Sequence, residues 1–438
     1  MNKLLAALLC AVLLGACSNP SREVAAGAPA APPEQRALPA EHVAPQQEKS
    51  AVAEAAPPEA LKATAAPSPR AAMDSVAAKR GRSSFREMRG AMYDRVAPEV
   101  NRERYGSHGD NPVKLVAQEP VSTFSVDVDT GSYANVRRML SHGQLPPKDA
   151  VRVEEMINYF PYHYALPQDG KPFAVHTALA PAPWNAERVL LRVALKGADI
   201  AKQTLPPANL VFLVDVSGSM DSDDKLPLLR SSLKLLVDQL REQDRISLVT
   251  YAGTTAVVLS GTPGSEKKKI AAAIDQLGAG GSTAGGAGIQ LAYQQAQEHF
   301  IKGGINRILL ATDGDFNVGI TDFAQLKQMI EEKRKSGVSF TTLGFGSGNY
   351  NEQLMEQLAD AGNGAYSYID SLMEGKKVLV NEMTSTLATI AKDVKIQVEF
   401  NPQWVTEYRL IGYENRVLRR EDFNNDKVDA GDIGAGHT

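Results

Sequence analysis

The run Leu210-Val211-Phe212-Leu213-Val214 has no polar break, ends on Asp215, and is followed by hydroxyls at alternate positions, Ser217 and Ser219. An uninterrupted apolar stretch of this length, partly β-branched, reads as a strand buried on both faces, as in a parallel sheet covered by helices on each side. Ligands of such sheets bind at the carboxyl ends of the strands, so the acid and the two hydroxyls mark where chemistry is to be sought. One carboxylate with short hydroxyls is an all-oxygen donor set suited to a hard divalent cation such as Mg2+.

Two later segments carry matching chemistry. Gly280-Gly281-Ser282-Thr283 sits in a glycine-rich loop ahead of a helix expected over residues 284–300. Ile308-Leu309-Leu310-Ala311-Thr312 is another buried strand, ending at Asp313. In this order, Asp-x-Ser-x-Ser, then Thr, then Asp resembles the metal-ion-dependent adhesion site of the von Willebrand factor A domain family. The resemblance extends over residues 206–372. It implies an α/β fold with a doubly wound, mostly parallel, Rossmann-like sheet. It also implies one Mg2+ (or Mn2+ or Ca2+) held by Asp215, Ser217, Ser219, Thr283 and Asp313. By the family pattern the three hydroxyls coordinate directly and the two carboxylates act mainly through water. A Glu or Asp from a partner protein then takes the remaining position.

The pattern around these motifs fits that fold. Leu226, Leu229, Leu233, Leu236, Val237 and Leu240 fall on one stripe of a helix over residues 223–241. Strands are expected over 246–251, 255–259, 307–312, 339–345 and 365–369, and helices over 267–277, 323–336 and 352–360. A closing helix is expected over 372–391. A βαβ succession of this kind predicts right-handed crossovers and helices on both faces of the sheet.

Before this region, residues 112–205 read as an α+β part belonging to a β-sandwich. Its strands are expected at 122–129, 173–179 and 188–195, and its helices at 132–142 and 151–159, the second with Val153, Met156 and Ile157 on one side. The runs Val128-Asp129-Thr130-Gly131-Ser132-Tyr133 and Val151-Arg152-Val153-Glu154-Glu155-Met156 resemble the small domain that precedes the A domain in a family of bacterial lipoproteins. After Lys392 the apolar period becomes two, with Val394, Ile396, Val398 and Phe400 alternating. Residues 405–411 and 416–418 follow as strands. Residues 373–438 thus read as the closing helix plus a truncated C-terminal β part. Early and late strands are expected to share one sandwich, with Trp184 and Trp404 in its core and the A domain inserted between them.

The N-terminus is read as processing signal and tether. Lys3, the apolar run 4–14 and Leu14-Gly15-Ala16-Cys17 resemble a bacterial lipobox, which implies a signal peptide over 1–16 and lipid on the Cys17 thiol. Ser18, where Asp would favour inner-membrane retention, favours the outer membrane facing the periplasm. Residues 17–111 are Ala- and Pro-rich at first and have little to bury, so a disordered tether is expected, its first roughly 65–70 residues (to about Arg82) reaching about 45 Å on average if flexible. With Cys10 removed, the mature protein has no disulfide, and its cores must stabilise it alone.

Other functions find less support. A formal net charge of -4 gives no basic surface for nucleic acid. The glycine-rich segment 278–288 lacks the Lys-Ser/Thr of a phosphate loop, and no Gly-x-Ser-x-Gly elbow is present. Asp127-Val128-Asp129-Thr130-Gly131 is similar to a haloacid dehalogenase start but for Gly131, which makes an acidic turn the better reading. Residues 422–432 resemble a calcium loop in which Lys427 replaces the required Gly, so a polar hairpin is preferred. The enzymatic alternative is a metal-dependent hydrolase of phosphate esters, with Asp221 or Asp315 as base.

Overall fold

The computed structural model describes residues 101–168, 170–281, 285–314, 323–425 and 427–438. The expected signal peptide, Cys17, most of the tether and Thr283 lie outside the described residues. The N-terminal part contains β1 (Lys114–Leu115), β2 (Val121–Ser125), α1 (Gly131–Ser141), α2 (Val153–Asn158) and a long hairpin, β3 (Phe173–Ala182) with β4 (Asn185–Gly197). Next come β5 (Ala208–Asp215), α3 (Leu226–Gln239), β6 (Arg245–Tyr251), β7 (Thr255–Pro263), α4 (Lys267–Asp275), α5 (Gly285–Glu298) and β8 (Ile305–Thr312). They are followed by α6 (Phe323–Lys333), β9 (Ser339–Phe345), α7 (Glu352–Ala361) and β10 (Tyr366–Ile369).

These strands form a six-stranded sheet in the order β10-β9-β8-β5-β6-β7. All neighbours are parallel except β6 and β7. The apolar run of β5 is buried because alternate residues serve two cores. Leu210, Phe212 and Val214 pack with Leu229, Leu233 and Leu236 of α3 and Ile270 and Ile274 of α4. Val211 and Leu213 face the other side, with Ile289 and Tyr293 of α5, Ile330 of α6 and Leu358 of α7. The chain steps from β5 to β6 on one side and later to β8 on the other. The loops after β5 and β8 therefore flank a switch point, where a crevice opens.

Beyond β10 the expected closing helix is broken. It consists of α8 (Leu372–Lys376), a π-helical turn (Lys377–Asn381) and α9 (Met383–Leu387), and its final residues become a strand, β11 (Thr389–Ala391). The β-branched pair Thr389-Ile390 favours that strand, which pairs with β14 (Ile433–Gly434). Between them lie β12 (Lys395–Glu399) and β13 (Glu407–Tyr408). Early and late strands meet as antiparallel pairs, β2 with β12 and β1 with β13, and Phe124 bridges to Val417. Val126, Phe173, Val394 and Ile433 form a small core between them.

Several expectations are corrected here. Trp184 and Trp404 are not core: they are 68 % and 66 % exposed, Trp184 at the tip of the β3–β4 hairpin, beyond the reach of its neighbours. In α2 the buried residues are Glu154 and Glu155, whereas Val153 and Ile157 are exposed. Glu154 is held inward by Arg152 and the Tyr413 N–H, and Glu155 by the Ser132 N–H. Residues 101–106 belong to the folded body, not the tether: Arg104 forms a parallel bridge with Asn351, and Glu103 pairs with Arg138. In the tail, Arg420–Asn424 is a 3-10 turn, Asp429 pairs with Arg334, and Asp432 accepts the Asp393 N–H. Asp429 and Asp432 are thus engaged by distant parts of the chain, and Asp426 of the same segment lies outside the described residues.

Candidate metal centre

The crevice is built from three strand ends. Asp215, the last residue of β5, is fully buried. Its Oδ1 accepts the Ser217 N–H at 2.9 Å, which folds the loop back over the strand end. Its Oδ2 accepts the Thr312 hydroxyl at 2.8 Å and the Tyr251 hydroxyl at 3.3 Å, from the ends of β8 and β6. Burial pushes the Asp215 carboxyl up to about 6. The Ser217 donors oppose that rise, Asp313 adds to it, and Thr312 opposes it.

Ser217 is buried, Ser219 is exposed, and their hydroxyl oxygens stand 3.1 Å apart. Two adjacent ligands of an octahedron with bonds of about 2.1 Å stand about 3.0 Å apart, so this pair fits the edge of a Mg2+ coordination shell. The glycine-rich loop is tied to the same place, since Gly218 N–H donates to Gly281 O at 3.0 Å and Gly280 N–H to Val216 O at 2.7 Å. Thr283, three residues past Gly280, lies outside the described residues. Among the described residues no three His, Cys, Asp or Glu side chains gather as a metal-binding group. A cation here would therefore rest on hydroxyls as much as on acids.

Asp313 follows β8 and is also fully buried. Its Oδ2 accepts from Lys225 Nζ at 3.0 Å and from Asn349 Nδ2 at 3.0 Å, and Lys225 also donates to Asn349 Oδ1 at 3.0 Å. The next residue, Gly314, has φ +85°, and a Cβ on it would stand 2.6 Å from Asn351 N. A side chain there would push the Asn349 loop away. That loop is also held from behind. Arg102 N–H donates to Gly348 O at 2.7 Å, Arg104 N–H to Tyr350 O at 2.8 Å, and Gly348 N–H to Glu103 Oε1 at 3.0 Å.

With the sheet order and this crevice in place, comparison with known proteins is decisive for the fold. Residues 209–381 match the family described as von Willebrand factor type A domain. This segment is a von Willebrand factor type A domain. Residues 99–192 match a family described as von Willebrand factor, and residues 385–438 match the C-terminal region of uncharacterized protein YfbK. The chain is homologous to uncharacterized protein YfbK of Escherichia coli (strain K12), with 61 % identity over 340 residues, covering 76 % of this chain and 59 % of YfbK. Uncharacterized protein sll0103 of Synechocystis is 31 % identical over 195 residues, 44 % of this chain and 45 % of that protein. Human inter-alpha-trypsin inhibitor heavy chain H4 is 31 % identical over 153 residues, 33 % of this chain and 16 % of that protein. The chain thus spans 59 % of the length of the YfbK relative and 45 % of the Synechocystis one.

Four residues of the A-domain crevice escaped the sequence reading: Thr312, Tyr251, Lys225 and Asn349. Thr312 and Tyr251 end strands that were expected, but which acid they face depends on the strand order. Lys225 did leave a signal. A cation directly before a helix stands at the positive end of its dipole, so a buried partner could have been sought. Nothing local marks Asn349.

Proposed function

We propose that this A domain is a metal-dependent protein-binding module that captures a Glu or Asp of a partner protein. Asp215, Ser217, Ser219, Thr283 and Asp313 would hold Mg2+, or Mn2+ or Ca2+ in its place. The metal supplies a Lewis-acidic point for an outside carboxylate. The chain's own residues do the rest. Asp215 and Thr312 fix the loop, Ser217 and Ser219 offer hydroxyl oxygens, and exposed Ser219 leaves an approach from solvent. The observation that carries the reading is the Ser217–Ser219 pair, 3.1 Å apart above a buried carboxylate at the switch point.

A hydrolytic role would need a base poised over the crevice. Asp221 is exposed in the 3-10 turn after the loop, and Asp315 lies outside the described residues. Binding is therefore the better-supported role. We also place the protein at the cell envelope, anchored by lipid on Cys17 in the outer membrane and facing the periplasm. Leu14-Gly15-Ala16-Cys17 supports this. Among the described residues no helix is long and apolar enough to cross a membrane.

The binding role is tested by immobilising wild type and Asp215→Ala and passing envelope extract over both, in Mg2+ and in chelator. Retention that needs both Mg2+ and Asp215 is expected, and retention indifferent to both contradicts the role. Mass spectrometry of the mature N-terminus tests the anchor: acylated Cys17 is expected, and an unmodified thiol contradicts it.

A further inference from the structure

We infer that Lys225 sets how tightly the metal centre holds its cation and makes an outside carboxylate part of the loaded site; this rests on the metal-binding reading above. The placement of Lys225 is unusual. It is the residue before α3, where the helix dipole opposes a cation, and its side chain is only 8 % exposed. Three features of the fold accommodate it. Asp313 and Asn349 each meet its ammonium at 3.0 Å. Its aliphatic stem lies against Gly346, where a Cβ would stand 2.3 Å from Cγ and Cε. Gly346 itself has φ +75°, a conformation that glycine alone adopts readily.

Charge at the crevice then follows by addition. Asp215 and Asp313, when ionised, and Lys225 are the buried charges of the described residues that meet here, and they sum to one negative charge. A divalent cation turns that into one positive charge. One carboxylate from outside returns it to zero. Were residue 225 neutral, the metal alone would neutralise the two acids, and an outside carboxylate would bring an excess negative charge. In a buried setting such differences are felt strongly. Lys225 therefore weakens binding of the metal alone and strengthens binding of a carboxylate to the loaded site. Metal and carboxylate attract each other directly, and Lys225 sets the carboxylate concentration at which that reciprocal coupling is felt. Among the described residues the other acids of this loop are Asp221 and Asp223, both exposed and screened by solvent, and half-buried Asp224, which is held by the Ser222 and Ser347 hydroxyls rather than by Lys225. Asn349 is a positioning residue that holds the ammonium on Asp313.

The test is Mn2+ titration of the full chain, read by the electron paramagnetic resonance signal of unbound Mn2+, with and without acetate as carboxylate probe. Lys225→Met removes the charge. Lys225→Gln removes it while keeping a donor for Asp313, and carries the test if the Met variant does not fold. Wild type should bind Mn2+ severalfold more tightly in acetate. Both variants should bind Mn2+ alone about tenfold more tightly than wild type and should need about tenfold more acetate to reach the same acetate effect. Unchanged or weaker Mn2+ binding by the folded variants, or an acetate effect reached in them at the same acetate concentration as in wild type, overturns the inference while leaving the metal centre standing. No Mn2+ binding by wild type overturns the metal-binding reading, and this inference with it.

Discussion

The chain gathers carboxylates in two places, and it treats them in opposite ways. At the candidate metal centre Asp215 and Asp313 are met by hydroxyls, a lysine and an amide, and the loop above them opens to solvent at Ser219. At the seam between the N-terminal part, the A domain and the C-terminal strands, the acids are closed in. Asp127 and Asp129 come from the turn before α1, Glu154 and Glu155 from α2, and Glu352, Glu356 and Asp360 from α7. Arg416 reaches Asp360 at 2.8 Å, Asp127 at 3.1 Å and Asp129 at 3.3 Å, and Arg152 meets Glu154 at 2.9 Å. Glu155 Oε1 and Glu352 Oε1 have no hydrogen-bond partner among the described residues. Guanidiniums from two parts of the chain thus lock the third. The lesson is that buried acid alone does not mark a site. Hydroxyl neighbours and an opening to solvent set the candidate metal centre apart, whereas the seam's charge joins parts of the chain.

The contrast can be broken most forcefully at Arg416. Arg416→Leu leaves Asp127, Asp129 and Asp360 without their counterion, and should destabilise the protein by about 3–5 kcal/mol in urea unfolding followed by circular dichroism. A loss near zero would mean that the seam is not held by charge.

The seam also predicts a pH dependence. Burial pushes Glu352 up to about 7; Glu356, pressed also by Glu352, rises to about 8. The folded protein holds these protons more tightly than the unfolded chain, whose glutamates titrate near the ordinary value of 4.5. Their contribution is therefore complete below that value and lost as pH rises through about 7 to 8, a fall of about 1–3 kcal/mol. Glu356→Gln should flatten the profile. A melting temperature that climbs between pH 6 and 9 would show that these acids are ionised in the folded state. Asp215, pushed up to about 6 by burial, adds a drop of the same sign at lower pH in the absence of metal.

On the metal side the expected effect on folding is smaller. Gly346→Ala forces a Cβ against the Lys225 stem at φ +75° and should lower stability by about 1–2 kcal/mol in thermal unfolding. An unchanged melting temperature would mean that Lys225 is loosely seated.

How much of this was legible in the sequence follows the same divide. The strands β5 and β8 were readable because sequential residues face two cores at once, and Asp215, Ser217 and Ser219 because they share one loop. Lys225 and Asn349 belong to separate loops that only the sheet order brings to Asp313. The seam was misread. Val153, Met156 and Ile157 share one side of α2, but Arg152 and the Tyr413 N–H hold Glu154 inward and the Ser132 N–H holds Glu155. The broken closing helix has a similar cause, because pairing of Thr389–Ala391 with Ile433–Gly434 overrides helical period through partners more than forty residues away.

Titration calorimetry with Mg2+, comparing wild type with Ser217→Ala/Ser219→Ala, addresses the metal centre directly. The removed hydroxyls bond to each other and, from Ser217, to buried Asp215, so folding should weaken by about 1–2 kcal/mol, and circular dichroism checks that the double variant is folded before it is titrated. Wild type should show saturable heat for one Mg2+ per chain, and the double variant none. Equal heats from the two proteins would contradict the metal centre and the binding role built on it.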